Sequence, residues 1–171
     1  MATNKFLTVT SGTPTLVQGL STSAGAGDAN KLISTDSSGK LHSTLLPTGV
    51  ELQTAIYPTS ENLAAGDFVN IFNDAGTPTA RKADATNSRR AMGYVLTAVT
   101  SPANATVYLS GSNTAVTVAA TQVGPVYLAA TGGFSTSPPS PGATVILQQL
   151  GNITNANAIV FEPDPVIALT V

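Results

Sequence analysis

Short apolar runs separated by turn residues recur along most of the chain, and this pattern constrains the fold more than any other feature. In residues 105–110, Val107 and Leu109 alternate with three more polar residues, as expected for a strand with one buried face. Comparable runs, without a convincing helical period, occupy residues 67–73, 93–99, 115–118, 125–129, 144–149, 158–162 and 166–171. About eight such strands predict an all-β protein with a small antiparallel β-barrel or sandwich over residues 61–171.

An internal echo distinguishes the N-terminal part of the chain. Residues 31–35 (KLIST) recur as residues 40–44 (KLHST), and the residues between the copies, DSSG, are typical of a turn. The pattern predicts a short hairpin that ends before Pro47. An isolated two-stranded ribbon is marginal in water, so this hairpin needs another surface, most simply on another chain. The predicted partner interface consists of Lys31, Leu32, Ile33, Leu41, Leu45, Leu46 and Pro47.

The first 50 residues carry few large apolar side chains and are predicted to form an extended N-terminal arm for assembly or attachment. Within this arm, residues 6–10 and 15–20 fit short strands around a turn at 11–14, and residues 21–28 fit a small-residue linker. Residues 51–60 are assigned to a connector, in which 51–56 fit a strand and a single helical turn equally well. The arm would become ordered when it binds its partner, and the entropy lost on ordering would be offset by binding at assembly.

Charged residues are scarce for a β-rich protein. They make up 9% of the chain, the net charge is -2 and the mean hydropathy is +0.20. Edge strands are normally protected by lysine or other charges, yet the only lysines are Lys5, Lys31, Lys40 and Lys82. We therefore expect other subunits to cover the edges. The alternative is that the 11 prolines and 15 glycines blunt them.

Groups suited to catalysis are also scarce. The chain has no cysteine and one histidine, His42, which takes the repeat position of Ile33 and is expected to be exposed or to lie at an interface. Zinc sites usually need three or four His, Cys or carboxylate ligands, and neither a dinucleotide fingerprint nor a phosphate loop is present. The carboxylates alone permit a glycosidase, but the chain lacks tryptophan. We expect no enzyme activity, no cofactor and no metal.

Four of the seven basic residues lie close together in the sequence: Arg81, Lys82, Arg89 and Arg90. Two interpretations stay open, a solvated loop and a patch that meets an acidic protein surface, where such charges set register and association rate. Nucleic acid is not an expected partner, because aromatic residues do not alternate with these charges. A membrane is not expected either, because neither a signal peptide nor an apolar run of about 18 residues is present.

Several segments resemble a family of virus proteins. Residues 28–47 (DANKLISTDSSGKLHSTLLP) resemble a stretch found in tailed-bacteriophage virion proteins, including head decoration proteins and fibres. Residues 65–71 (AGDFVNI), 81–85 (RKADA) and 91–96 (AMGYVL) resemble the C-terminal β-domain of phage capsid decoration (cement) or head-fibre proteins. The resemblance implies a structural protein, made in the host cytoplasm, that binds the major capsid protein on the outer capsid surface as a homotrimer.

Two other functions compete with capsid decoration. A phage fibre or tail component would use the same arm as an anchor, and would be present in far fewer copies per particle. A carbohydrate-binding module or hydrolase would instead use the loops of the β-domain, with a host-surface glycan as ligand.

Overall fold

The computed structural model describes residues 5–46, 53–119, 121–140, 142 and 146–169. These residues form antiparallel β-sheets and three single-turn 3-10 helices, which confirms the prediction of an all-β, sandwich-like fold. In the part of the chain so described, no helix has the length and apolar character needed to cross a membrane. The chain divides into two compact units, Met1–Glu51 and Leu52–Val171.

The N-terminal unit is built on a β-hairpin of strands β1 (Lys5–Thr10) and β2 (Thr13–Gln18). Its two-residue loop, Ser11 and Gly12, has φ angles of 52° and 80°. Positive φ at both loop residues is the mark of a type I′ turn, which matches the twist of the flanking strands. This hairpin confirms the strand predicted at residues 6–10, while the second strand begins two residues earlier than predicted. Single 3-10 turns follow at Ala26–Asp28 and Ser43–Leu45.

The hairpin predicted for the two copies of the repeat is wrong. In the first copy, Ile33 forms an isolated parallel bridge with Leu20. The residues between the copies do turn, because the Asp36 carboxylate accepts the backbone N–H groups of Ser38 and Lys40, each at 2.9 Å. The second copy is not a strand. His42 instead caps the Ser43–Leu45 turn: its side chain accepts the N–H of Thr44 at 3.3 Å.

The described residues of the C-terminal unit contain twelve strands. They are β3 (Thr54–Pro58), β4 (Phe68–Asp74), β5 (Thr77–Lys82), β6 (Gly93–Tyr94), β7 (Asn104–Tyr108), β8 (Gly111–Asn113), β9 (Gly124–Leu128), β10 (Phe134–Ser135), β11 (Ile146–Leu147), β12 (Gln149–Asn155), β13 (Ala158–Phe161) and β14 (Ile167–Ala168), with a 3-10 turn at Ala85–Asn87. One five-stranded sheet has the order β3-β7-β6-β4-β5 and a second has the order β10-β9-β12-β13-β8, while β11 pairs with β14.

Residues 54–58, within the predicted connector, form β3 and pair with β7 along their whole length, which is the strand alternative left open for residues 51–56. Two predictions for this unit need correction. Residues 115–118 were predicted to be a strand, but the neighbouring strand is β8, which ends at Asn113. Strand β5 was not predicted, because Pro78 suggested a turn. Pro78 is tolerated because β5 is the last strand of its sheet, and the isolated bridge on its outer side joins Thr59 to Ala80 and does not involve Pro78.

Strand β4 contributes to two separate cores. Its consecutive residues Phe68 and Val69 are both fully buried, because successive side chains of a strand point to opposite faces. Phe68 joins the larger core, lined by both five-stranded sheets, where its ring centroid lies 5.7 Å from that of Phe161. Val69 joins a smaller core with Ala80 and Val107. The first sheet is therefore covered on both faces at its centre.

Gly151 lies at a close backbone approach in the second sheet. It lies in β12 at an irregularity in the pairing with β9, and its φ is 134°. A Cβ atom there would meet the backbone carbonyl oxygen of Val160 on β13. Since both flanking strands are fixed by the ladder, neither can move away from an added methyl group.

We expect Gly151→Ala to destabilise the protein by at least about 3 kcal/mol, because it combines a backbone clash with a strained φ. Gly124→Ala is the matched control: Gly124 has a φ of 118° but open space around its Cβ position, so about 1 kcal/mol is expected. Urea unfolding of both variants measures the difference. Equal losses would contradict the steric explanation.

Asp84 is a buried acid that holds the Ala85–Asn87 turn. Its carboxylate accepts the N–H and the hydroxyl of Thr86 at 2.8 and 2.6 Å, and the side-chain amide of Asn87 at 3.0 Å. Burial opposes ionisation of Asp84, but these hydrogen bonds outweigh it, so the pKa of Asp84 is lowered below its usual value of 3.8. The charged carboxylate is thus part of the folded structure.

We expect Asp84→Asn to cost about 1–2 kcal/mol of unfolding free energy at pH 7, since a neutral amide replaces a hydrogen-bonded carboxylate. A lowered pKa stabilises the fold above the unfolded value and loses that contribution as pH falls through the folded value. The difference between Asp84→Asn and the parent chain should therefore shrink below about pH 4. Urea unfolding at pH 7, 5 and 3 measures it, and a constant difference would contradict this assignment.

Candidate interaction surfaces

One face of the N-terminal hairpin is apolar and exposed. Residues opposite one another in a ladder share a face, and the register pairs Leu7 with Leu16 and Val9 with Pro14. Leu7, Val9 and Leu16 are 69%, 68% and 65% exposed. We call these four residues the hairpin face. The only charged residue of β1 and β2, Lys5, lies at one end of the same face.

The opposite face of the hairpin is partly covered by its own chain. Phe6 lies on this side, and its ring sits so close to Gly19 that a Cβ atom there would overlap it. The same position is also close to Ser34, so the segment after β2 folds back under the hairpin. Thr8 and Thr15, an opposed pair, are joined through their hydroxyl groups at 3.1 Å. The hairpin therefore has one supported face and one bare face.

The sequence-predicted interface residues lie outside the hairpin, and only some of them come together. Lys31, Ile33 and Leu45 line a surface depression of about 300 Å³ together with Leu20. Lys31 donates to the Asp28 carboxylate at 2.6 Å, and this hydrogen bond is the main cause of a lowered pKa for Asp28. The ammonium group of Lys31 is thus engaged within its own unit.

The other predicted residues do not line this depression. Leu32, Leu41 and Leu46 are 47%, 52% and 37% exposed, and Pro47 lies outside the described residues. Sequence reasoning missed the hairpin face entirely. The sequence signal for this face was that Leu7 and Val9 alternate with threonines before a Ser-Gly turn. This pattern predicts a strand, but it does not show which face of the strand stays exposed.

The basic residues predicted as an electrostatic contact lie on the C-terminal unit, and two of them belong to a strand rather than a loop. Arg81 and Lys82 end β5. The Arg81 Nε donates to Asn70 Oδ1 at 3.0 Å, and its guanidinium carbon lies 4.1 Å from the ring centre of Phe72. Burial, and then the positive charge of Arg89, lower the pKa of Arg81. Arg81 is therefore held by its own sheet.

Internal partners also engage Lys82 and Arg89. The Lys82 ammonium lies 3.3 Å from Asp67, and a terminal nitrogen of Arg89 lies 3.9 Å from the Glu61 carboxylate. Glu61 also accepts the backbone N–H of Lys82 at 2.9 Å. Arg90 is different. Its side chain is exposed, and its backbone carbonyl accepts a hydrogen bond from the side-chain amide of Asn70 at 3.0 Å. Of the four predicted charges, Arg90 presents its side chain most freely.

Potential metal ligands are dispersed over the part of the chain that the structure describes, where no three His, Cys, Asp or Glu side chains cluster. The ring of His42 is engaged through Nδ1 with the Thr44 hydroxyl at 3.0 Å. No protein-family model matches the chain, and searches of the curated proteins and of the solved structures gave no match.

We expect Arg89→Glu and Arg90→Glu to differ in their effect on stability. Arg89→Glu replaces an ion pair by a repulsion against Glu61 and should cost about 1 kcal/mol, the range of half-exposed pairs. Arg90→Glu should change the unfolding free energy by less than about 0.5 kcal/mol. Urea unfolding at low salt measures both. Equal costs would contradict the assignment of Arg89 to Glu61.

Proposed function

We propose that this protein is a structural, non-enzymatic component of a tailed-phage virion that binds the outside of the capsid through its N-terminal unit. The observation that carries the proposal is the hairpin face, an exposed apolar surface on a unit with little core of its own. The resemblance of residues 28–47 to head decoration proteins supplies the kind of partner, the major capsid protein.

The size of the hairpin face sets how strongly one copy can bind. Burial of a whole Leu or Val side chain contributes about 1.5–3 kcal/mol, so three side chains that are two-thirds exposed offer about 3–6 kcal/mol. Association itself costs at least about 4 kcal/mol. A single hairpin therefore binds weakly, and several linked copies gain through effective concentration. A homotrimer, which the family resemblance implies, would supply that linkage, and its mass is measurable by light scattering.

The basic residues have a smaller part in this proposal than the sequence suggested. Arg81, Lys82 and Arg89 are held by neighbours within the C-terminal unit. Arg90 is the residue proposed to meet acidic groups on a partner. A single exposed charge at the rim of an interface affects association rate more than affinity.

The hairpin face is tested by replacing both leucines, Leu7→Ser with Leu16→Ser, in the full chain. We expect binding to capsids of the phage that encodes the protein to fall at least about tenfold, because most of the apolar contact is lost. Co-sedimentation with purified capsids, quantified by gel densitometry, measures bound copies per particle.

The matched control is Ile56→Ser with Val123→Ser, since these two side chains are 69% and 74% exposed on the C-terminal unit. Binding by this control should equal that of the parent chain. Equal loss in both double variants, or in neither, would overturn the proposal. The copy number separates two locations: hundreds of copies indicate decoration of the shell, whereas a few copies indicate a fibre or tail component.

A further inference from the structure

The outer edges of the two hairpin strands are not equivalent. In a hairpin with a two-residue loop, the residues that flank the loop, here Thr10 and Thr13, exchange hydrogen bonds with each other. Hydrogen-bonded and non-hydrogen-bonded pairs then alternate along an antiparallel ladder. The pairs formed by Lys5 with Gln18, Leu7 with Leu16 and Val9 with Pro14 therefore point their backbone N–H and C=O groups away from the hairpin.

The outer edge of strand β2 is poorly suited to pair with a further strand, whereas the outer edge of strand β1 has its full set of outward backbone donors and acceptors. Pro14 has no N–H, so the outer edge of β2 lacks one of its three outward donors. The outer edge of β1 presents outward N–H and C=O groups at Lys5, Leu7 and Val9. The described residues supply no backbone partner for this edge. Charge, the usual protection of an edge, is limited to Lys5.

We propose that the outer edge of β1 pairs with the same edge of a second copy of this chain. The three outward residues are spaced evenly around Leu7, so an antiparallel pairing about a two-fold axis sets Leu7 against Leu7 and Lys5 against Val9. Each outward N–H then meets an outward C=O. The result is a four-stranded sheet, β2-β1-β1-β2, in place of two separate ribbons, and sheets of three or more strands have the stability that a lone hairpin lacks.

Charge and side-chain direction both fit this pairing. The two Lys5 residues are four positions apart along the paired strands, about 13 Å, which is beyond the Debye length of about 8 Å at physiological salt. A two-fold axis perpendicular to the sheet keeps both copies of the hairpin face on the same side. The paired hairpins thus present one continuous apolar surface with Leu7, Val9 and Leu16 from each copy.

The area of the contact sets its strength. One added strand pair buries less than the roughly 800 Å² per partner of a standard protein interface, so the pairing is weak in dilute solution. It becomes effective where copies are concentrated on a common surface. The pairing joins chains in twos, so a homotrimer that uses it would associate further into a hexamer. It is independent of the proposed capsid attachment, since either can occur without the other.

Cysteine cross-linking of the full chain tests the contact, because the parent sequence contains no cysteine. In the paired sheet the two Leu7 Cα atoms lie about 5.5 Å apart, within the range of a disulfide. The two Leu16 Cα atoms lie three strand spacings apart, about 14 Å. Under mild oxidation we expect Leu7→Cys to form a covalent dimer at least about tenfold faster than Leu16→Cys, which is equally exposed on the same face.

The register is tested by mixing chains. A mixture of the Lys5→Cys and Val9→Cys proteins should form a mixed disulfide, whereas each protein alone should cross-link slowly. The readout is the fraction of doubled mass on a non-reducing gel, followed by mass spectrometry of the linked peptides. Equal rates for Leu7→Cys and Leu16→Cys, or homodimers of Lys5→Cys that form as fast as the mixed species, would overturn the pairing. Capsids are absent from this experiment, so its failure does not bear on the proposed attachment.

Discussion

The burial of strand β4 on both faces is the constraint on which the rest of the C-terminal unit depends. Because Phe68 and Val69 are adjacent and both inaccessible, the first sheet must be covered on two sides. One side is met by the second sheet, whose Phe161 packs on Phe68. The other side is covered by the first sheet itself. Thr59 forms a bridge with Ala80, so the chain after β3 lies against β5. The second sheet therefore covers the face of β4 that carries Phe68, and the curvature of the first sheet covers the face that carries Val69.

The local sequence pattern predicted those strands whose own apolar residues mark them as strands. The run at 105–110 became β7, because apolar and polar residues alternate there, and the run at 67–73, which is rich in large apolar residues, became β4. Strand β5 escaped prediction because it carries Pro78 at its second position and ends in Arg81 and Lys82. Its place depends on contacts with other segments, because Asn70 on β4 and Asp67 just before β4 hold those charges. Such tertiary contacts cannot be obtained from local periodicity.

The repeat at residues 31–35 and 40–44 shows how similar sequences take different conformations. Both copies have the composition of a strand, but side chains capture the backbone donors that a hairpin ladder would use. Asp36 binds the N–H groups of Ser38 and Lys40, and His42 binds that of Thr44. Serine, threonine, aspartate and asparagine commonly compete with secondary structure in this way. The candidate interface is therefore the hairpin that precedes the repeat. Strands β1 and β2 contain no acidic side chain that could compete for their backbone N–H groups.

The exposed apolar side chains distinguish the two units in what they require of a partner. Among the described residues, eight of the eleven exposed large hydrophobic side chains lie in the N-terminal unit, although it contributes fewer residues. The C-terminal unit places its apolar residues in two cores. None of the described residues of the N-terminal unit belongs to either core. A partner that binds only its folded form would stabilise it by mass action, so order in this unit and occupancy of its surface should rise together.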